Sequence, residues 1–348
     1  MSEGLAQVLA ERAVEATGGT PFAHPKVSRS SKEALALNTW GSSAGGRSDD
    51  ADDYAYPAAY AATKDLVADL DDAQLAEVLG AGIRGERAYD PVGTKDADGG
   101  RTSWSRWLDL LETRAGVDDA AEVFRRWALT GKQRAQLAPR AEARAAYATV
   151  DEADGAWLPP EGLRDAMTAW DFDRADAVRT KVAGLGAAAL AVQDAAKAAG
   201  VEVPASVRQS YEKAEHDEQY TALAASLPAA ATAVTAVGAA EKASAQDRDP
   251  LSALGATLLG VDDRAATAGA LLDEGKYAEA TSAADDATSR SGNAMLVGLA
   301  LPLLILLLVA GAALWSRAFV RARARQRADD EARLAVLTVA PVAPPEEE

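Results

Sequence analysis

Apolar positions recur along this chain at intervals of three and four, the spacing that gives a helix one buried face. In residues 2–16, Ser2 stands as an N-cap, and Leu5, Val8, Leu9 and Val14 share a face. Gly18, Gly19 and Pro21 close that segment. Residues 20–53 read as a loop, with a Gly- and Ser-rich run at 41–46 and then Asp49, Asp50, Asp52 and Asp53. These acids lack the ligand spacing of a calcium-binding EF-hand loop and read as solvated. Helical periodicity resumes over 54–79, with Gly80, Gly82 and Gly85 as its interruption, and residues 91–101 read as a second polar loop. Trp104, Trp107, Leu108 and Leu111 then fall at i, i+3, i+4 and i+7, and Val123, Phe124, Trp127 and Ala128 form a similar stripe. Both read as core faces. From 132 to 290 helix follows helix, with breaks expected at Pro159-Pro160, Gly200, Pro204, Pro228 and Pro250. No segment alternates with the period of two that a strand requires. The pattern predicts an all-α fold of stacked helical hairpins, with a first region at 1–131 and a second at 132–290.

Two short stretches resemble each other. Trp170-Asp171-Phe172-Asp173-Arg174-Ala175 and Gly275-Lys276-Tyr277-Ala278-Glu279-Ala280 each place an aromatic three residues before an Ala, after an apolar helix. That is the turn of a paired-helix unit of tetratricopeptide type, in which the small Ala permits close helix approach. Two such turns predict stacked hairpins, not a full array. A long helix is expected to run from about Lys276 towards the C-terminal apolar run, with Gly292 offering a break.

Residues 294–315 form an uncharged apolar run, AMLVGLALPLLILLLVAGAALW. About 20 such residues at a 1.5 Å rise cross a hydrocarbon core of about 30 Å. Pro302 is tolerated in such a helix, and Trp315 stands where an interfacial aromatic belongs. After the run come Arg317, Arg321, Arg323, Arg325 and Arg327; before it come Asp273, Glu274, Glu279, Asp285 and Asp286. The bias of basic residues predicts a single-pass membrane protein whose tail, 316–348, is cytoplasmic and whose preceding region lies outside. The arginines also suit anionic lipid, so the bilayer is the expected partner. Residues 1–19 show no basic n-region, apolar h-region or cleavage site, so an exported domain implies further sequence upstream.

Composition narrows the chemistry. The chain has 348 residues, no cysteine and two histidines, His24 and His216. Disulfides, thiolate metal sites and Cys nucleophiles are excluded, as is any site needing three imidazoles. A net charge of −17 argues against binding a phosphate backbone, so no nucleic-acid partner is expected. Neither a phosphate-binding Gly loop nor a G-x-S-x-G elbow is present. His24 reads as a loop residue, and His216 as part of a solvated, acid-rich helix face.

The opening residues Met1-Ser2-Glu3-Gly4-Leu5-Ala6 carry the remaining signal. Standing alone, Glu3 is an acid in a first helical turn, where the helix dipole favours it. The segment also resembles the W-L-x-E-G-x-A motif of the gluzincin zinc metallopeptidases, the aminopeptidase N-like enzymes. In that family the Glu is the third zinc ligand, beside an H-E-x-x-H helix whose two His lie one turn apart and whose Glu activates water. The resemblance implies Glu3 as the metal ligand. It also implies an oxyanion-stabilising Tyr at the start of a later helix, matched by Tyr56, with Tyr54 as second choice. Pro57 stands where the family has Lys-Gly after that Tyr. No H-E-x-x-H occurs in these residues, and neither His24 nor His216 has a partner four positions away. The expectation is therefore the C-terminal part of a membrane-anchored peptidase. Zinc and a peptide substrate belong to an intact parent, and neither zinc nor activity to this chain alone. The alternative is a non-catalytic, membrane-anchored helical scaffold of the cell envelope with unidentified protein partners.

Overall fold

The computed structural model describes residues 2–41, 49–96 and 103–338. Among the described residues the regular structure is helical, apart from one isolated bridge between Glu86 and Lys95. Helix α1 spans Ser2–Ala16, α2 Asp49–Leu66, α3 Asp72–Arg84, α4 Trp104–Arg114 and α5 Ala120–Trp127. There follow α6 Gly131–Arg134, α7 Leu137–Ala153, α8 Glu161–Thr168, α9 Phe172–Val182 and α10 Leu185–Ala199. The remainder is α11 Ala205–Glu212, α12 Asp217–Ser244, α13 Pro250–Leu259, α14 Val261–Asp273 and α15 Tyr277–Thr338.

Several boundaries differ from the sequence pattern, each for a local reason. The acids at 49–53 are not loop residues; they open α2, where Asp49, Asp50 and Asp52 face the positive end of the helix dipole. The Gly-rich run at 42–48 and residues 97–102 of the second loop lie outside the described residues. The helix expected over 54–79 is two helices. Asp71 ends the first by capping the second: its carboxylate accepts from the Gln74 amide, and the Gln74 side chain returns to the Asp71 amide. Gly80 and Gly82 then sit inside α3, and Gly85 is its left-handed C-cap at φ 68°. Gly82 is small because the Trp107 ring lies 3.0 Å from where its Cβ would be. Pro228 does not break α12, nor Gly292 and Pro302 α15.

By packing, the chain divides into two compact units: Met1–Ala195 with Val203–Ala231, and Ala196–Glu202 with Thr232–Glu348. The sequence boundary after residue 131 falls within the first. That first unit is closed by Leu66, Leu108, Leu111, Phe124, Leu129, Leu163, Met167 and Tyr211, all fully buried. In the second, α13 and α14 pack on α15. The buried stripe of α15 is Ala280, Ala284, Ala287, Ala294 and Gly298, at helical spacing and without bulk.

The two similar stretches fold alike. Trp170 donates its amide to the Met167 carbonyl at 3.1 Å and Asp171 to Ala166 at 2.9 Å. Gly275 donates to Leu272 at 3.0 Å and Lys276 to Leu271 at 2.9 Å, the same double bond of a Schellman turn. Both turns place the first residue at positive φ, 57° for Trp170 and 76° for Gly275. Ala175 and Ala280 are buried one turn into the following helices. A bulky residue at positive φ is strained. Trp170 is held there by its contacts: its ring packs against Trp104 and Phe172, and the Arg140 guanidinium lies 5.3 Å from its centre.

Candidate functional site

Helices α1 and α2 form a tight parallel pair. A Cβ on Gly4 would collide with the Ala59 carbonyl and stand 2.6 Å from Thr63 Oγ1. Further along, Arg12 donates to the Val67 carbonyl at 2.7 Å and the Leu70 carbonyl at 2.9 Å. Progress along α1 therefore follows progress along α2. Glu3, one residue before Gly4, therefore lies beside the middle of α2, where Tyr56 stands three residues before Ala59. Glu3 is exposed and forms no hydrogen bond or ion pair with another described residue.

The two tyrosines differ in state. Tyr54 is buried, and its hydroxyl accepts from Arg29 Nη1 at 3.3 Å; the same nitrogen donates to the Leu35 carbonyl at 3.0 Å. Tyr56 is 39% exposed and its hydroxyl has no described partner. Its ring is set edge-on against Trp40 at 4.8 Å, and Trp40 is fixed by donating Nε1 to Asp52 at 2.7 Å. A hydroxyl offered to a ligand must be free and accessible, a condition that Tyr56 meets and Tyr54 does not.

A second group on the same pair escaped the sequence reading. Tyr60 donates to Glu11 Oε2, and Lys64 Nζ donates to Glu11 Oε1 at 2.9 Å and to the Tyr60 hydroxyl at 3.0 Å. His24, in the loop, stacks on the Tyr60 ring at 3.6 Å. The hydrogen bonds from Tyr60 and Lys64 hold the Glu11 carboxyl below its ordinary range, and burial followed by Glu11 pushes the Tyr60 phenol up. The i, i+4 spacing of Tyr60 and Lys64 was readable; its acidic partner lies 49 residues away and was not. The polar ends of Glu11, Tyr60 and Lys64 are matched to one another and His24 adds a stacking contact, so the group latches α1 to α2 and pins the loop.

A further concentration of charge is buried between α4, α7 and the turn before α9. Asp109 accepts from Arg140 Nε at 2.8 Å, from Trp170 Nε1 at 2.7 Å and from the Tyr89 hydroxyl at 3.2 Å. Arg140 also donates to Glu112 at 2.8 Å, and Arg144 pairs with the same carboxylate. Burial raises the Asp109 carboxyl, opposed by Arg140. Burial also raises Tyr89. Both Asp109 oxygens are saturated by protein donors, which leaves none facing a substrate; the network ties helices together.

The site residues do not by themselves fit a zinc ion. Among the described residues no three His, Asp or Glu side chains converge to hold a metal. Glu3 offers one carboxylate where a zinc site takes at least three protein ligands. An open cleft of about 560 Å³ is lined by Leu5, Leu9, Ile83, Trp104 and Trp107, and Glu3, Tyr54 and Tyr56 do not line it.

Among the described residues, two helices are long and apolar enough to cross a membrane, α12 and α15. Compared with protein-family models, curated proteins and solved structures, the chain shows no match.

Proposed function

We propose that the chain is the C-terminal, membrane-anchored and extracytoplasmic part of a gluzincin-like zinc metallopeptidase, without peptidase activity of its own. The close approach of Gly4 to Ala59 supports this reading most, because it sets the start of the Glu3 helix against the stretch of α2 that carries Tyr56 and its free hydroxyl. Gly4 is then the residue that lets a ligand-bearing helix lie against an oxyanion-bearing one. Glu3 supplies one carboxylate, and the two imidazoles and the base belong to an H-E-x-x-H helix of a longer parent. In that parent the bound metal supplies Lewis acidity and an activated water. The part of this chain is to hold Glu3 rigidly and to offer the Tyr56 hydroxyl as a donor. The anchor is α15, which crosses once, with Arg317, Arg321 and Arg323 on the cytoplasmic side.

The 348-residue chain is expected to bind no stoichiometric zinc and to release no amino acid from aminoacyl substrates. One-to-one zinc by metal analysis overturns that statement. Reading the gene in frame upstream of Met1 is expected to give H-E-x-x-H and a signal peptide. The longer product is expected to lose turnover on Tyr56→Phe and zinc on Glu3→Ala. A reporter fused after Glu348 is expected to read as cytoplasmic. The second reading, a non-catalytic membrane-anchored helical scaffold, draws on the two matching Schellman turns at Trp170 and Gly275. A stop codon directly upstream, with no neighbouring frame encoding the motif, favours it over the first.

A further inference from the structure

The exposed face of α13 is the wrong way round for a helix in water. Its outward positions are Pro250, Ala253, Leu254, Thr257 and Leu258, at i, i+3, i+4, i+7 and i+8, and no residue of Pro250–Leu259 is charged. The next helix shows the ordinary arrangement: α14 turns Asp262, Asp263, Arg264 and Asp273 outward and buries Val261, Ala265, Ala268 and Leu272. One uncharged helix face beside a normal one calls for a different solvent.

The position of α13 along α15 identifies that solvent. A Cβ on Gly255 would collide with the Ala294 carbonyl and lie 2.8 Å from the Gly298 nitrogen. A Cβ on Gly298 would collide with the Leu251 carbonyl and lie 3.1 Å from the Gly255 nitrogen. Backbone meets backbone, so α13 is fixed beside the first turns of the apolar run. The helices run antiparallel, with Leu251 beside Gly298 and the Leu259 carbonyl accepting from Arg290 at 3.0 Å. Around the crossing, Met295, Leu296 and Leu299 of α15 are exposed, as are Leu254 and Leu258 of α13. Charge flanks α13 at both ends, with Asp249 capping its N-terminus by accepting from the Leu251 amide at 3.0 Å and the Ser252 amide at 3.2 Å. Arg290 pairs with Asp286 at 2.9 Å, and Arg248 turns back from the start of α13 to donate to the Ser244 carbonyl at 3.1 Å and to Ser291 at 3.4 Å. That bend of a long basic side chain away from an apolar surface is snorkelling geometry.

We propose that α13 is an interfacial membrane helix. Its Leu254–Leu258 face enters the boundary between headgroups and acyl chains, beside the point where α15 enters the bilayer. This rests on the reading of 294–315 as the span, and extends the anchor from one crossing helix to a crossing helix with a short antiparallel foot packed along its first turns. Lipid is the occupant because the face lies beside the span and shares its lack of charge.

The cysteine-free chain allows a clean test. Full-length single-cysteine variants Leu254→Cys, Leu258→Cys, Ala266→Cys on the exposed side of α14, and Val309→Cys in the span are labelled with an environment-sensitive fluorophore. They are then placed in phosphatidylcholine–phosphatidylglycerol vesicles with or without brominated acyl chains. Labels at 254 and 258 are expected to be blue-shifted and about twofold dimmed by bromine near the headgroup end of the chains, and the label at 266 to be unchanged. The label at 309 is expected to respond to deep bromine. If 254 and 258 behave as 266 does while 309 is quenched, the foot is overturned and the span stands. If 309 is also unquenched, the span reading itself fails. Labels at 254 and 258 that are shielded from aqueous quencher but untouched by bromine indicate cover by another protein or copy, and overturn the lipid assignment.

Discussion

In the unit formed by Met1–Ala195 and Val203–Ala231, charged groups occupy places usually left to apolar ones: Asp90, Asp109, Arg140, Asp154 and Arg164 are all buried. In α15 the reverse holds, with Leu303, Leu304, Ile305, Leu306, Leu307 and Leu308 each more than half exposed. Both regions depart from the rule of apolar inside and polar outside. The first resolves its exception within the chain, since each of those charges meets a counter-charge or donor from another element. Among the described residues the leucines at 303–308 of α15 are left largely uncovered. α12 is the control between them. It passes the same test of length and hydropathy as α15, yet 39% of its apolar window is buried against 11% for α15. Leu223, Leu227, Val234 and Val237 of α12 pack inward. An apolar helix with a packed face has its solvent in the fold; one without must take it from outside.

The largest expected effect lies on the polar side of this comparison. Arg140→Ala leaves Asp109 and Glu112 buried without their main counter-charge, a change that costs about 3–5 kcal/mol. Thermal unfolding of detergent-solubilised protein followed by circular dichroism should show it as a large fall in Tm. A loss below about 1 kcal/mol, the value of an exposed ion pair, would mean that the network is hydrated and the contrast false.

Next comes a charge on the exposed apolar side of the comparison. Leu306→Asp in α15 is expected to leave that unfolding transition in place, because no core contact is lost. It should instead weaken insertion by about 2.5–3.5 kcal/mol, seen as release on carbonate extraction. The same substitution at Leu227 of α12, fully buried, should unfold the unit and not alter extraction as such. Identical outcomes at 306 and 227 would erase the distinction between the two helices.

Glycines sharpen it at smaller scale. Gly298→Ala forces a methyl into the Leu251 backbone and is expected to cost about 1–3 kcal/mol as overpacking. Gly311→Ala, with nothing within 4 Å, should be neutral or slightly stabilising. Protease sensitivity of the segment around Leu254, compared across both variants, reads the difference.

How far the sequence showed these things follows from the reach of each signal. The helices and the apolar run were legible because periodicity and charge are local. The Trp170 and Gly275 turns were legible as residue patterns, and the structure adds their shared hydrogen bonds. The break at Asp71 was missed although Asp-Asp-Ala-Gln is a local capping box, since glycines at 80, 82 and 85 drew attention as better breakers. Pro228 misled in the opposite sense. At the candidate site, Glu3, Tyr54 and Tyr56 came from resemblance to a motif. What separates Tyr56 from Tyr54 is the Arg29 contact, made by a loop whose path no spacing reveals. The Glu11–Tyr60–Lys64 latch and the Asp109–Arg140 network were invisible for the same reason, with partners 49 and 31 residues apart.

The smallest effect tests whether every buried charge is compensated. Asp154 accepts from the Tyr211 hydroxyl, but its second oxygen is buried with no partner. Burial pushes its carboxyl up to about 6, against the lowering effect of Tyr211 and with a further push from Asp151. The folded chain thus holds this proton over a pH range in which the unfolded chain has released it. Between about pH 6 and 4 the folded state binds more protons, so this group adds stability as pH falls through about 6 and removes it as pH rises. Asp154→Asn keeps an acceptor for Tyr211 and cannot ionise. At pH 7.5 the variant is expected to be more stable than the parent by about 1 kcal/mol, and the advantage should shrink between about pH 6 and 4, so that near pH 4 the two converge. Comparing the pair cancels Glu11 and Glu86, whose lowered carboxyls tilt the absolute profile the other way. A variant that is less stable at both pH values would show a charge as well satisfied as that of Asp109. The buried carboxylate of Asp154 would then count as compensated, and the comparison with α15 would sharpen at that position.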